Sequence, residues 1–241
     1  MEHVKTGIDG VDAILGGGII RGATVLVSGS PGTGKSIFGI QYLYNGAREF
    51  GEKGIYLSFE ENRDDIEQSA LSIGFEEWPD LVENGDIKIY DKQVLLREND
   101  FSSTLDRILD DLQASEYERL VMDSLTMFQL FFETEREQRQ YLLQFSDILK
   151  KNGFTSLLIS EKGGMFPDTE VSLENFMTDG NIYLFQTPTE SGVNRYIWIA
   201  KMRKQDIKND IFPMDIGEGG IRVHERAAGF SMMEGGGPSF E

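Results

Sequence analysis

The sequence contains no cysteine. That excludes disulfides, thiolate metal sites and a cysteine nucleophile, and it fits a cytoplasmic setting. Histidine is almost as scarce, with His3 and His224 standing near opposite ends of the 241 residues. A histidine-based triad or zinc centre therefore has too few ligands. No apolar run approaches the roughly 18–20 residues that span a bilayer. The N-terminal MEHVKTGIDG is polar and lacks the apolar core of a secretion signal. Positive charge is in short supply too: 23 Lys and Arg face 41 Asp and Glu, a formal net charge of −18. Such a chain repels nucleic acid on average. Its acidity reads first as a hydrated surface and second as a face for a basic partner.

What remains is ample for a full core, since 39% of the residues are hydrophobic. Short apolar runs at 23–29, 54–60, 86–91, 119–123 and 155–160 read as buried strands, each bounded by glycine or charge. Between them, 35–50, 101–113 and 137–151 carry helical periodicity. The first places Ile37, Ile40, Gln41, Tyr44 and Ala47 on one face. Alternation of this kind predicts an α/β fold with a mostly parallel, twisted sheet flanked by helices. After residue 176 the helices stop. Runs at 181–187, 194–203 and 220–224 predict a C-terminal antiparallel extension of the sheet. One domain over 1–224 is expected, followed by a glycine-rich, mobile tail over 225–241.

The strongest local signal is GSPGTGKS, residues 29–36, which matches G-x-x-x-x-G-K-[ST] between a strand and a helix. The physics needs each part. The glycines let backbone N–H groups turn inward around phosphate oxygens, and the helix N-terminus adds a favourable dipole. Ser30, Pro31, Gly32, Thr33, Gly34, Lys35, Ser36 and Ile37 are the predicted phosphate cradle. Lys35 reaches the β- and γ-phosphates, and the Ser36 hydroxyl is a Mg²⁺ ligand. RLVMDSLT (119–126) is a short strand ending in Asp123, the expected carboxylate on the metal side.

A second strand ends in two adjacent glutamates, YLSFEEN at 56–62. Ligands of open α/β sheets gather at this carboxyl edge. Phosphoanhydride hydrolysis needs a group there that orients water on the γ-phosphate. Strand parity puts Glu60 on the side of Tyr56 and Ser58, the polar side, so Glu60 is the expected base. Glu61 is its helper, a charge partner, or a bystander.

Together these segments resemble the RecA-type phosphate-loop ATPases, and among them the KaiC-like group, over almost the whole chain to about residue 224. SFEEN resembles the catalytic glutamate pair, VMDSLT the magnesium-side motif, and TGIDGVDAILGGGIIRG (6–22) the lead-in to the phosphate loop. The resemblance implies a Mg²⁺-dependent ATPase with slow turnover. It also implies a homo-oligomeric ring, six subunits in the family pattern, with ATP at the subunit interfaces and a protein partner in regulation. AKMRK (200–204) resembles the family's Lys-x-Arg, which implies that Lys201, Met202 and Arg203 contact the ATP of an adjacent subunit. DIGEGGIRV (215–223) resembles a hairpin whose turn touches the neighbour's nucleotide, which implies Glu218.

The chain also departs from that family. Lys204 stands where the family commonly has glycine after the Arg, which puts the shape of that loop in question. A second, tandem domain with its phosphorylated Ser–Thr pair has no counterpart, and Ser102, Ser103, Ser124 and Thr126 are poor substitutes. Two other functions use this fold. A DNA-recombination accessory would bind DNA through 124–137 and 161–175, but the first is acidic and the second holds a single Lys, Lys162. A non-hydrolysing nucleotide-sensing scaffold is opposed by the presence of Glu60 and Lys201.

Overall fold

The computed structural model describes residues 1–95, 101–113, 116–161, 178–189 and 192–226. The expected tail from 227 onward and the segment 162–177, with Lys162, lie outside the described residues.

Nine strands form the main sheet. The apolar runs appear as β3 (Thr24–Gly29), β4 (Gly54–Ser58), β5 (Ile87–Tyr90), β6 (Arg119–Asp123) and β7 (Thr155–Glu161). They are followed by β8 (Gly180–Thr189), β9 (Gly192–Met202), β10 (Ile211–Gly217) and β11 (Gly220–Val223). Their order is β11-β10-β9-β8-β3-β7-β6-β4-β5. Strands β3 to β8 pair in parallel, and β8 to β11 pair antiparallel. The predicted fold class is therefore the observed one. A separate two-stranded ribbon, β1 (His3–Val4) with β2 (Ile19–Ile20), brackets the short helix α1 (Val11–Ile14). Strand β10 has no counterpart among the apolar runs read from the sequence. Pro213 interrupts its pattern, as proline weakens any strand signal.

Helices cover both faces. α2 (Lys35–Phe50), α3 (Arg63–Ser72) and α4 (Trp78–Glu83) lie over one core, built on Val25, Val27, Tyr56, Val121 and Ile159. α6 (Phe101–Gln113) and α8 (Glu135–Lys151) lie over the other, built on Leu26, Ile55, Leu57, Leu120 and Met122. The alternation of these two sets along β3, β4 and β6 is the period of two that a sheet buried on both faces requires. α8 begins two residues before the predicted start. Thr134 and Glu137 form a capping box there, with Glu137 N donating to Thr134 Oγ1 and Thr134 N to Glu137 Oε2, both at 3.2 Å.

Helix α2 corrects the one-face expectation. Phe38 through Gly46 are all buried, whereas Ile37 and Ala47 are only partly so. The helix is enclosed by the sheet, including β11, on one side and by α3 and α4 on the other, so residues 38–46 have no wet flank. Gln41 is a clamp rather than a packing residue: Nε2 donates to the carbonyls of Gly219 (3.2 Å) and Ile221 (3.3 Å), and Oε1 accepts from Ile221 N at 2.7 Å.

The base of the sheet is tied by Arg119, which is fully buried. Its guanidinium donates to Glu52 Oε2 (2.7 Å), Tyr42 O (2.8 Å) and Lys5 O (2.8 Å), and lies 4.5 Å from the Tyr42 ring centroid. It thereby joins the N-terminal segment, α2 and β6. Glu52 is shared with Arg21 at 2.7 Å. Removing the carboxylate leaves a buried cation uncompensated, so Glu52→Ala is expected to destabilise the chain by about 3 kcal/mol. A shift of the urea-unfolding midpoint measures this.

Candidate active site

Parallel pairing brings the carboxyl ends of β3, β7, β6 and β4 to one edge. There Gly29 is in register with Glu161, Asp123 with Ile159, and Ser58 with Asp123. The phosphate loop leaves β3 at this edge and turns into α2 through Gly34, whose φ of 98° is left-handed. A side chain at Gly34 would also meet the Ile216 Cδ1 methyl at 2.5 Å, but it is the left-handed conformation that favours glycine there. No side chain caps α2. Its first N–H groups are left for an anion.

Lys35 is buried, and its Nζ donates to Ser30 O at 3.1 Å and lies 3.9 Å from Glu161 Oε1. Burial holds its ammonium below the usual lysine range, opposed by Glu161, Asp123 and Glu60. Thr33 closes the loop by donating to Ser30 O at 2.8 Å. The β8–β9 ribbon supports it from outside. Gln186 Nε2 donates to Pro31 O at 3.5 Å and Arg195 Nε to Gly32 O at 3.4 Å. No sequence motif marks either residue.

Asp123 ends β6, almost fully buried. Tyr56 Oη donates to its Oδ2 at 2.8 Å, and the Ser36 hydroxyl bonds to it as well. Burial pushes its carboxyl up, and the bonds from Ser36 and Tyr56 push it back down. Ser36 and Asp123 are hard oxygen donors, and Mg²⁺ accepts one or two such groups beside water and phosphate oxygens. Among the described residues no three acidic or histidine side chains converge into an all-protein cage.

The glutamate pair divides. β4 ends at Ser58, so strand parity does not run on to residues 60 and 61. Phe59 N still pairs with Asp123 O at 2.7 Å, and the chain then bends. Glu60 is exposed, and its Oε1 accepts from the Ser124 hydroxyl at 2.5 Å. Glu61 is partly buried, with its Oε2 carrying no hydrogen-bond partner. Burial first, then Asp123, Asp65 and Glu60, push its carboxyl above the usual range, and Lys92 opposes them.

The pair is pinned from β5. Asp91, buried, accepts from Arg63 N and Val94 N at 3.0 Å each, and Lys92 Nζ donates to Glu60 O at 2.9 Å. Nothing in the sequence singles out Asp91 or Lys92. They act through the segment that carries the glutamates.

The family model described as "ATPase: KaiC" matches residues 4–228. The chain belongs to the KaiC family. A circadian clock oscillator protein KaiC from Thermostichus vulcanus is 30% identical over 226 residues, covering 91% of this chain and 43% of that protein. A circadian clock protein KaiC2 from Synechocystis is 32% identical over 224 residues, covering 90% and 39%. The chain thus spans less than half the length of these curated relatives. A crystal structure of a KaiC-like protein from Pyrococcus horikoshii has a TM-score of 0.81 at 34% identity, covering 92% of this chain and 99% of that one.

The family's Lys-x-Arg lies elsewhere. Met202 pairs with Gly180, which pairs with Val25, so Lys201 and Arg203 sit at the amino edge of the sheet. From Val25 to Gly29 alone is about 13 Å at 3.3 Å per residue. Lys201 Nζ donates to Thr178 O at 3.3 Å, and Arg203 Nη1 lies 3.5 Å from Asp179 Oδ1. Glu218, exposed in the β10–β11 turn, stands at the other end of the sheet from them, with Gly219 N donating to Ile73 O at 2.7 Å. Lys204 keeps the glycine-like shape, with φ of 59°. The aromatics of 124–137 pack on one another. Phe128 lies 5.5 Å from Phe59 and 5.0 Å from Phe132, whose ring stacks on Tyr141 at 4.9 Å.

Glu61 is a carboxyl whose folded pKa is raised. Between the ordinary carboxylate range and that raised value the folded chain holds a proton that the unfolded chain has lost, so its contribution to stability falls as pH rises. Glu61→Gln without nucleotide is therefore expected to raise Tm at neutral pH. The gain should vanish below pH about 4, where both states are protonated. The rise is read against about 2–4 °C per kcal/mol for a chain of this size, by calorimetry.

Proposed function

We propose that this chain is a Mg²⁺-dependent ATPase of slow turnover that assembles into a ring, six subunits in the family pattern, with ATP between subunits. The observation that carries this reading is the division of the machinery between the two ends of one sheet. The phosphate loop, Asp123 and the glutamate pair share the carboxyl edge. Lys201 and Arg203 lie at the amino edge, out of reach of their own loop. In this reading, cations that cannot serve their own nucleotide serve that of a second copy.

In this reading the N-terminus of α2 and the loop amides hold the phosphates, and Lys35 exchanges Ser30 O for them. Ser36 and Asp123 would hold a Mg²⁺ ion, which would supply positive charge beside the phosphates. Glu60 orients the attacking water and takes its proton, aimed by the Ser124 hydroxyl. Glu61 supports that water or the incoming cation. Lys201 and Arg203 of the adjacent copy stabilise charge on the transferring phosphoryl group, and Met202 and Glu218 complete the nucleotide contacts. Turnover regulates a protein partner, and the setting is cytoplasmic. No helix among the described residues is long and apolar enough to cross a membrane.

Glu60→Gln should lower kcat for phosphate release by about 10²–10⁴-fold while ATP binding persists. Full activity in that variant removes Glu60 as the base, and no release by the natural chain favours the sensing scaffold. Light scattering should show a mass increase with Mg-ATP. The double change Lys201→Ala, Arg203→Ala should cost about 10³-fold in kcat. A strict monomer with full activity ends the ring reading.

A further inference from the structure

We propose that a cavity at the amino edge of the sheet, ringed by Arg21, Lys150, Arg203 and Lys204, is an anion site for a polyphosphate chain. This cavity, of about 290 Å³, is lined by those four cations with Asp179, Ile20, Gly22 and Ala23. In a chain of net charge −18, four cations and one carboxylate line this opening. The volume is at the small end of ligand cavities, room for a phosphate chain and not for a whole nucleotide.

Two of the cations are already engaged. Arg21 meets Glu2 at 2.9 Å, Glu52 at 2.7 Å and Glu118 at 3.7 Å, and Arg203 meets Asp179 at 3.5 Å. Lys150 and Lys204 form no ion pair among the described residues. Lys150 is presented from the last turn of α8.

Lys204 is the decisive residue. Among the described residues it is the one non-glycine with a left-handed φ, 59°. A side chain there is strained where glycine is not. The conformation is imposed from outside: the Gln205 side chain donates to the carbonyls of Leu15 and Gly18, and Lys208 N donates to Ile14 O at 2.9 Å. Lysine thus stands at a position whose backbone favours glycine, and what it adds is a charge at the rim of the cavity.

The polyphosphate has two possible sources, the ATP of a second copy or a free polyphosphate in solution. Only the first rests on the ring reading.

The test uses Lys204→Gly, which relieves the backbone and so should keep or raise Tm, and Lys204→Gly with Lys150→Ala. In one arm, inorganic tripolyphosphate is titrated by calorimetry into protein whose phosphate loop is disabled by Lys35→Ala. In the other, the ATP concentration for half-maximal assembly is measured at two ionic strengths. The site predicts a roughly tenfold loss in one arm, the order of one charge-assisted contact, and a weaker salt dependence than the natural chain. Loss in the first arm assigns a free anion, and loss in the second alone assigns the ATP of a second copy. If the natural chain does not assemble, the ring reading fails and the tripolyphosphate arm alone decides the site. Unchanged values in every arm that can be measured overturn it.

Discussion

Much of the active edge depends on one buried carboxylate. Asp123 has almost no contact with water, so its ionised form must be stabilised by what surrounds it. Tyr56 on the next strand, Ser36 at the start of α2 and the Lys35 charge supply that. These are also the groups a nucleotide needs nearby. Satisfying Asp123 therefore holds β4, β6 and the phosphate loop in one arrangement before any ligand arrives. Ser124, next in the chain, carries the constraint to Glu60.

The two glutamates show how one local sequence is split into two environments. Glu60 faces water with a single defined partner. Glu61 is drawn under the edge beside Asp123, with one oxygen unpaired. Such an oxygen is unfavourable in the resting fold and available to a ligand, an arrangement in which stability is given up for function. Asp91 and Lys92 hold the backbone of the segment that carries the pair.

The opposite end of the sheet follows a different logic. There cations are paired within the chain: Arg119 and Arg21 share Glu52, and Arg203 meets Asp179. Lys150 and Lys204 are not. In the proposed ring, each copy offers its amino edge to the carboxyl edge of the next.

Much of this was legible in the sequence, because local signals carried it. The phosphate loop is contiguous, and its strand–loop–helix setting is written in adjacent apolar and helical runs. The strands β3 to β7, the span of α2 and the place of Asp123 at a strand end followed from the same runs; the side of Glu60 did not, because β4 ends at Ser58. Less was legible where proline broke a pattern, as in β10, or where a helix is buried on all sides, as in α2. Tertiary structure alone decided the rest. Strand register put Lys201 and Arg203 at the amino edge, away from Gly29, although periodicity is the same in either case. Burial, not residue type, separated Glu61 from Glu60 and turned Gln41 and Arg119 into ties. The left-handed backbone at Lys204 lies beside bonds from Gln205 and Lys208 to residues 14–18, far away in the chain. Local pattern determines which elements form; register and burial determine which charges meet, because both depend on segments remote in sequence.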